Sequence, residues 1–233
     1  MVKKLVAIAI LAGIAFMLYG LFASYTQKET LPKTSRYYAI KGPDELGSAN
    51  LVTSVVVTYR GLDTLGEVTI LFTVASIIGF FLRSRTKREA RAENPRETSE
   101  ILHTGVAFLV PIIFVFGAYV FIGGHLSPGG GFQGGAIIAS GTLLLFLAQP
   151  KTSGGHTLIT FVESVSGIAY VGIGIAGIFL ANGFLDNRIL PVGEFGTIFS
   201  AGAIPIIYSL IGLKVGAELS AILYKLKDAK EDA

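Results

Sequence analysis

Six stretches of this 233-residue sequence are apolar and long enough to cross a bilayer, and little of the chain lies outside them. A spanning helix needs about 20 mostly apolar residues, because the hydrocarbon core is about 30 Å thick and a helix rises about 1.5 Å per residue. The windows run Leu5–Ala23, Thr64–Leu82, Gly105–Ile122, Phe132–Ala148, Thr157–Ala181 and Gly196–Tyr224. Charged residues make up 15% of the chain and hydrophobic ones 52%, whereas a soluble domain has about 25% charged residues. Mean hydropathy is +0.64. The expected fold class is an all-α, multi-pass membrane protein with about six transmembrane helices, placed in the cell membrane. A disordered chain and a soluble globular enzyme are both excluded.

The absence of cysteine excludes a disulfide, a thiolate zinc site, an Fe–S cluster or a cysteine nucleophile in this chain. No cofactor is expected here, and any redox chemistry belongs to a partner. The net charge of +3 is small and local, which gives no reason to expect nucleic-acid binding. The first window is longer than the 7–15 or so residues of a signal-peptide core and no small-residue cleavage site follows, so an uncleaved helix is expected.

Lysine and arginine in short connections orient the spans, since cytoplasmic loops carry the excess. Arg83, Arg85, Lys87, Arg88, Arg91 and Arg96 crowd one connection. With six helices, Lys3, Lys4, Lys151, Lys225, Lys227 and Lys230 fall on the same side. Both termini are therefore expected in the cytoplasm. Residues 83–100, charged and broken by Pro95, read as a basic cytoplasmic linker between a two-helix unit (1–82) and a four-helix unit (101–233). The β-branched stretch Asn50–Tyr59 fits either a strand or an interfacial helix.

Ionisable residues inside apolar windows cost about 2.5–3.5 kcal/mol to insert, so they mark function first. There are four: Glu67, Glu163, Lys214 and Glu218. Thr64-x-x-Glu67 also matches a capping box. Glu163, some seven residues into its helix, lies about 10 Å deep and is too short to snorkel. Lys214 and Glu218, spaced i, i+4, share a helix face. They snorkel if the span is Phe195–Leu213 and are buried if the helix sinks further. Gly212-x-x-x-Gly216 suggests close helix contact, and Pro205, in mid-window, would free the Ala201 carbonyl and kink the span.

The run Gly123–Gly135 (GGHLSPGGGFQGG) is the most distinctive in the chain. Gly129-x-Gly131-x-x-Gly134 formally matches a dinucleotide fingerprint, but that needs a preceding strand, and membrane helices flank it here. The expected role of Gly129, Gly130, Gly131, Gly134 and Gly135 is close helix packing. His125 is its one titratable group and a candidate for proton handling or a structural tie. His103 and His156 lie at helix ends, and no metal-ligand cluster is evident.

From Gly124 to Gly135 the sequence closely resembles the signature of the B subunit of Mrp-type Na⁺/H⁺ antiporters, and the likeness extends over about residues 100–225. Residues 44–82 resemble the C-terminal end of the large A subunit, above all in Tyr59-Arg60-Gly61-Leu62-Asp63-Thr64-Leu65-Gly66-Glu67. In Mrp antiporters these segments belong to different polypeptides. Their fusion here is more similar to archaeal membrane-bound hydrogenases and sulfane-sulfur reductases, with the latter preferred. The resemblance implies a non-catalytic accessory subunit in the Na⁺-translocating module of a respiratory complex. Its partners would be antiporter-like membrane subunits and a soluble redox arm holding Fe–S clusters, with Na⁺ and H⁺ as the ions moved. A subunit of a stand-alone Mrp antiporter and a purely structural packing subunit are the alternatives. The carried-over residues are Asp63, Glu67 and His125 with its glycines.

Overall fold

The structure, a computed structural model, describes residues 2–25, 30–86, 98–149 and 156–231, without the side chains of 83–86, 156 and 228–231. Among the described residues six helices are long and apolar enough to span a membrane. The first, α1 (Val2–Ala23), belongs to a unit of its own, Met1–Arg36. It is apolar on every face and none of its residues is buried, the pattern of a helix solvated by lipid or by other proteins.

The second unit covers Tyr37–Ala233. α2 (Lys33–Leu46) leads into α3 (Leu51–Thr53), which continues as a π-helical turn, Ser54–Tyr59. The stretch Asn50–Tyr59 is therefore helical. Asn50 starts it as an N-cap, its side-chain oxygen accepting from the Val52 and Thr53 amides at 3.1 and 3.4 Å. Then come α4 (Gly61–Thr86), α5 (Glu100–Ile122), α6 (Gly131–Ala148) and α7 (His156–Leu180). A single 3₁₀ turn, Asn187–Ile189, precedes α8 (Ile204–Glu231).

The bundle is organised around α8. Two thirds (67%) of its spanning window is buried, against 11% for α4 and 17% for α7. It packs against α4, α5, α6 and α7. The stripe Ile204, Ile207, Tyr208, Ile211 and Val215 recurs at helical spacing and meets Tyr170 of α7 and Val68 of α4 in one core cluster. Lipid supplies no hydrophobic drive for helices to associate, so contact must come from close backbone approach. Glycine provides it on both faces of α6. A Cβ on Gly134 would lie 2.6 Å from the Gly117 carbonyl oxygen of α5, and one on Gly135 only 2.8 Å from that of Gly212 in α8.

The sixth expected span needs correction. The window Gly196–Tyr224 starts too early, because α8 begins at Ile204. Gly196, Ala201 and Gly202 have φ of 85°, 65° and 57°, which breaks any helix there. Pro205 is accordingly the second residue of α8, where its missing N–H costs nothing, and the expected mid-helix kink does not arise. The Ala201 carbonyl is not orphaned either. It accepts from the Ile204 amide at 3.1 Å and from Asn187 Nδ2 at 2.9 Å. The linker expected at 83–100 falls mostly outside the described residues.

Candidate functional site

With α8 starting at Ile204, Lys214 and Glu218 both lie about 13–15 Å inside its spanning window. They do not snorkel: Lys214 is 9% exposed and Glu218 is completely buried. Lys214 Nζ lies 3.5 Å from Glu218 Oε2 and 5.1 Å from the centre of the Phe72 ring on α4. Among the described residues neither carboxylate oxygen of Glu218 has a hydrogen-bond partner. Lys214 thus stands over an aromatic face on one side and a buried carboxylate on the other.

Half-buried Glu163 belongs to the same place. Together with Lys214, Thr69, Phe72, Gly167 and Tyr170 it lines a cleft of about 580 Å³ between α4, α7 and α8. Gly167, one turn beyond Glu163, lets the lysine pass: a Cβ there would lie 3.2 Å from Lys214 Cδ. Glu163 and Glu218 are within electrostatic range of one another. The antiparallel approach of α7 and α8 has gathered two carboxylates and one ammonium at hydrocarbon depth.

Glu67 stays apart from that cluster. It is exposed on α4, and the expected capping box is not formed. α4 begins at Gly61, and Thr64 Oγ1 instead donates to the Val56 carbonyl at 2.6 Å, closing the end of the π-helical turn. Asp63 pairs with Arg60. The buried Tyr170 hydroxyl, which has no hydrogen-bond partner, is within electrostatic range of Glu67.

The glycine-rich turn and His125 form a separate polar cap at one end of the bundle. His125 is completely buried. Its Nδ1 lies 3.2 Å from the Ile122 carbonyl and its Nε2 3.3 Å from that of Thr197. The carbonyls of the turn are taken up by the segment before α4. Asn50 Nδ2 donates to those of Gly124 (2.8 Å) and Ser127 (3.0 Å), and Thr53 Oγ1 donates to Gly124 (2.7 Å). Ser48 Oγ and the Asn50 amide both donate to His125, each at 3.0 Å. Asn187 Nδ2 donates to the Leu46 carbonyl at 3.1 Å. His125 therefore joins turns rather than facing the cleft. His103, near Gln149 Nε2 at 3.3 Å, is remote from both sites, and the His156 side chain lies outside the described residues.

Sequence reasoning missed Ser48, Asn50, Thr53 and Asn187, as well as two polar clusters around Glu45 and Asp186. Glu45 accepts hydrogen bonds from the Tyr37 and Tyr59 hydroxyls, both at 2.7 Å, and these hold its carboxyl below the usual range. Burial and the same carboxylate push the Tyr59 hydroxyl up. Asp186 takes a forked bond from Arg188, which lowers its carboxyl in turn. Asn50 had a signal, as a cap residue before an apolar run. The carbonyls that its side-chain nitrogen binds had none. Among the described residues no group of three or more His, Cys, Asp or Glu is placed to hold a metal ion.

Comparison with known proteins agrees with this architecture. Residues 101–221, α5 through most of α8, match the family described as a domain related to the MnhB subunit of Na⁺/H⁺ antiporters. The chain belongs to this MnhB-related family. Residues 2–98 of the MnhB-related chain match a second family, MbhE, described as one of the subunits of MBH. A chain in the structure of the membrane-bound sulfane sulfur reductase, an archaeal respiratory membrane complex, is 39% identical. The match covers 97% of this chain and 98% of that one, with a TM-score of 0.81. A protein of Methanocaldococcus jannaschii with no assigned function is 30% identical over 206 residues, 78% of each chain. A chain of the Mrp complex from Dietzia sp. DQ12-45-1b shares the fold at TM-score 0.77 and 24% identity, with 96% of this chain covering 26% of that one.

Proposed function

We propose that this protein is an accessory membrane subunit of the Na⁺/H⁺ antiporter-like module of a multisubunit respiratory complex, of the sulfane-sulfur reductase type. In that role it links electron transfer in other subunits to cation translocation. The observation that carries this reading is the end-to-end match to the sulfane sulfur reductase chain, with both halves of the sequence in one polypeptide on both sides of the comparison. The Mrp-complex chain is nearly four times longer than the part matched, which favours a respiratory complex over a stand-alone antiporter. The fold agrees with a subunit that carries no redox centre: the chain has no cysteine, and few ionisable side chains lie within its spanning helices. Fe–S clusters and the catalytic site would belong to a soluble arm, and the neighbours in the membrane would be antiporter-like subunits.

Affinity purification of the tagged chain in mild detergent tests the reading. The expected product is a large assembly containing iron–sulfur subunits, whose sulfane-sulfur reduction drives Na⁺ or H⁺ movement in proteoliposomes. A homo-oligomer of this chain alone would overturn it.

A further inference from the structure

The three charges at the α4/α7/α8 cleft do not balance. Glu163 and Glu218 supply two negative charges and Lys214 one positive, so the fully ionised cluster would hold a net negative charge inside hydrocarbon, where an uncompensated charge is costly. The surroundings bring limited relief. From α4 the facing group is the Phe72 ring, while Glu67 on the same helix is exposed. From α7, among the described side chains, the remaining titratable group lining the cleft is the Tyr170 hydroxyl. α6, on the other side of α8, has no ionisable side chain along its length. On α8 itself Lys225 is within electrostatic range of Glu218, but it sits two turns nearer the helix end and packs along Gly79 of α4.

We propose that Glu163, Lys214 and Glu218 form a single-proton exchange site within the bilayer, in which one proton moves between the two carboxyls as the Lys214 ammonium moves the opposite way. The structure holds one of the two arrangements: Lys214 is 3.5 Å from Glu218, and Glu163 faces the cleft with no ion pair within 4.0 Å among the described residues. The proposal places the proton of this arrangement on Glu163, the carboxyl away from the ammonium. In the other, the O–H bond on Glu163 is broken, its carboxylate pairs with the ammonium, and an O–H bond forms on Glu218. The cluster is neutral in both, so the exchange never strands a charge in the membrane. The cleft opens a route to Glu163, where hydronium gives up a proton to the carboxylate of the fully ionised cluster and leaves water, so that the net charge of −1 becomes zero before the exchange.

Two features support this exchange. Lys214 is unbranched, and its stem runs past Gly167 on the helix face that carries Glu163, so no side chain at 167 blocks the path between the carboxylates. Both Glu218 oxygens are buried and have no hydrogen-bond partner among the described residues. A proton satisfies such a group with one covalent bond, whereas a hard metal cation needs a shell of several oxygen ligands, and among the described residues no group of three or more His, Cys, Asp or Glu is placed to supply one.

This inference rests on the reading of the chain as part of a cation-moving module, and the test separates the two. The assembled complex is purified with wild-type chain, Glu163→Gln, Glu218→Gln, the Gln/Gln double variant and Gly167→Val. Infrared difference spectra should show a deuterium-sensitive protonated-carboxyl band in the wild type that the double variant lacks. Coupled proton movement in proteoliposomes should be lost in each Gln variant and slowed in Gly167→Val, which changes no charge. Electron transfer with a protonophore present should persist in all. A double variant with the wild-type band and transport overturns the proposal, as does full transport in Glu163→Gln. Should Glu218→Gln fail to assemble, half-buried Glu163→Gln still decides. Should the wild-type chain co-purify with no other subunit, the subunit reading fails, and the carboxyl band, measured on that same chain, still decides the proton site.

Discussion

Asn50 does more than any other single side chain to hold the polar cap together. Its oxygen caps α3 while its amide nitrogen reaches carbonyls 74 and 77 positions away in sequence. Asn50→Ala removes the cap, leaves the Ser127 carbonyl without its donor and that of Gly124 with Thr53 Oγ1 alone, an expected cost of about 2–3 kcal/mol. Asn50→Asp keeps the acceptor and loses the donors, so its cost should fall between those of wild type and Ala. Thermal unfolding of the purified chain in detergent checks the order, and an Asp variant as unstable as Ala would contradict it. Glu45 makes a second residue-scale prediction. Hydrogen bonds from Tyr37 and Tyr59 depress its folded pKa, so its contribution is complete above the ordinary carboxylate range of about 4 and is lost as pH falls through the lower folded value. Amide exchange of the Ser54–Tyr59 turn should accelerate at such acid pH in the wild type. Glu45→Gln should show the faster exchange already at neutral pH. At this scale the sequence was only partly legible. Glu163, Lys214 and Glu218 stood out because charge is rare in apolar windows, whereas Thr64-x-x-Glu67 had the spacing of a capping box without standing at a helix start.

At the scale of the element, hydropathy found all six spans but misplaced one end. Gly196–Ala203 is nearly as apolar as the helix after it, and composition carries no mark of the positive φ values that keep it a loop. That error alone left the depth of Lys214 and Glu218 open. The packing faces of α6 were easier to read, because small residues in a membrane helix have few purposes besides contact. Gly135→Leu should drive α6 from α8, since even a Cβ there meets the Gly212 carbonyl oxygen at 2.8 Å and Val215 Cβ at 2.8 Å. Gly66→Leu has open space around its Cβ and serves as the control. Native gel electrophoresis of the complex should show loss of assembly in the first and not in the second. Assembly of both would refute the contact role.

For the whole molecule, the segment around Asn50, the glycine turn and the loop through Thr197 meet at one end of the bundle, while Thr98 binds the Ala148 carbonyl at the other at 2.8 Å. α4 ends and α5 begins on the latter side, and from the excess of Lys and Arg in the sequence between them we propose that this side is cytoplasmic. A cysteine at Ser84 should therefore resist an impermeant thiol reagent in intact cells and react in inside-out vesicles. Labelling from outside would reverse the topology.

The same cap has a consequence for how the chain is made. Ser48, Asn50, Thr53 and Asn187 join residues 46–53 to residues 124–127 and 187, so we expect the parts of the chain on either side of 83–100 to recognise each other without help from the peptide that joins them. The covalent connection then acts mainly as a tether. It fixes a one-to-one stoichiometry and raises the effective concentration of one half near the other to about the millimolar range. A protease site inserted between residues 87 and 97 should leave two fragments that stay together after cleavage. Halves expressed as separate chains should still find each other, more slowly and in proportion to their abundance.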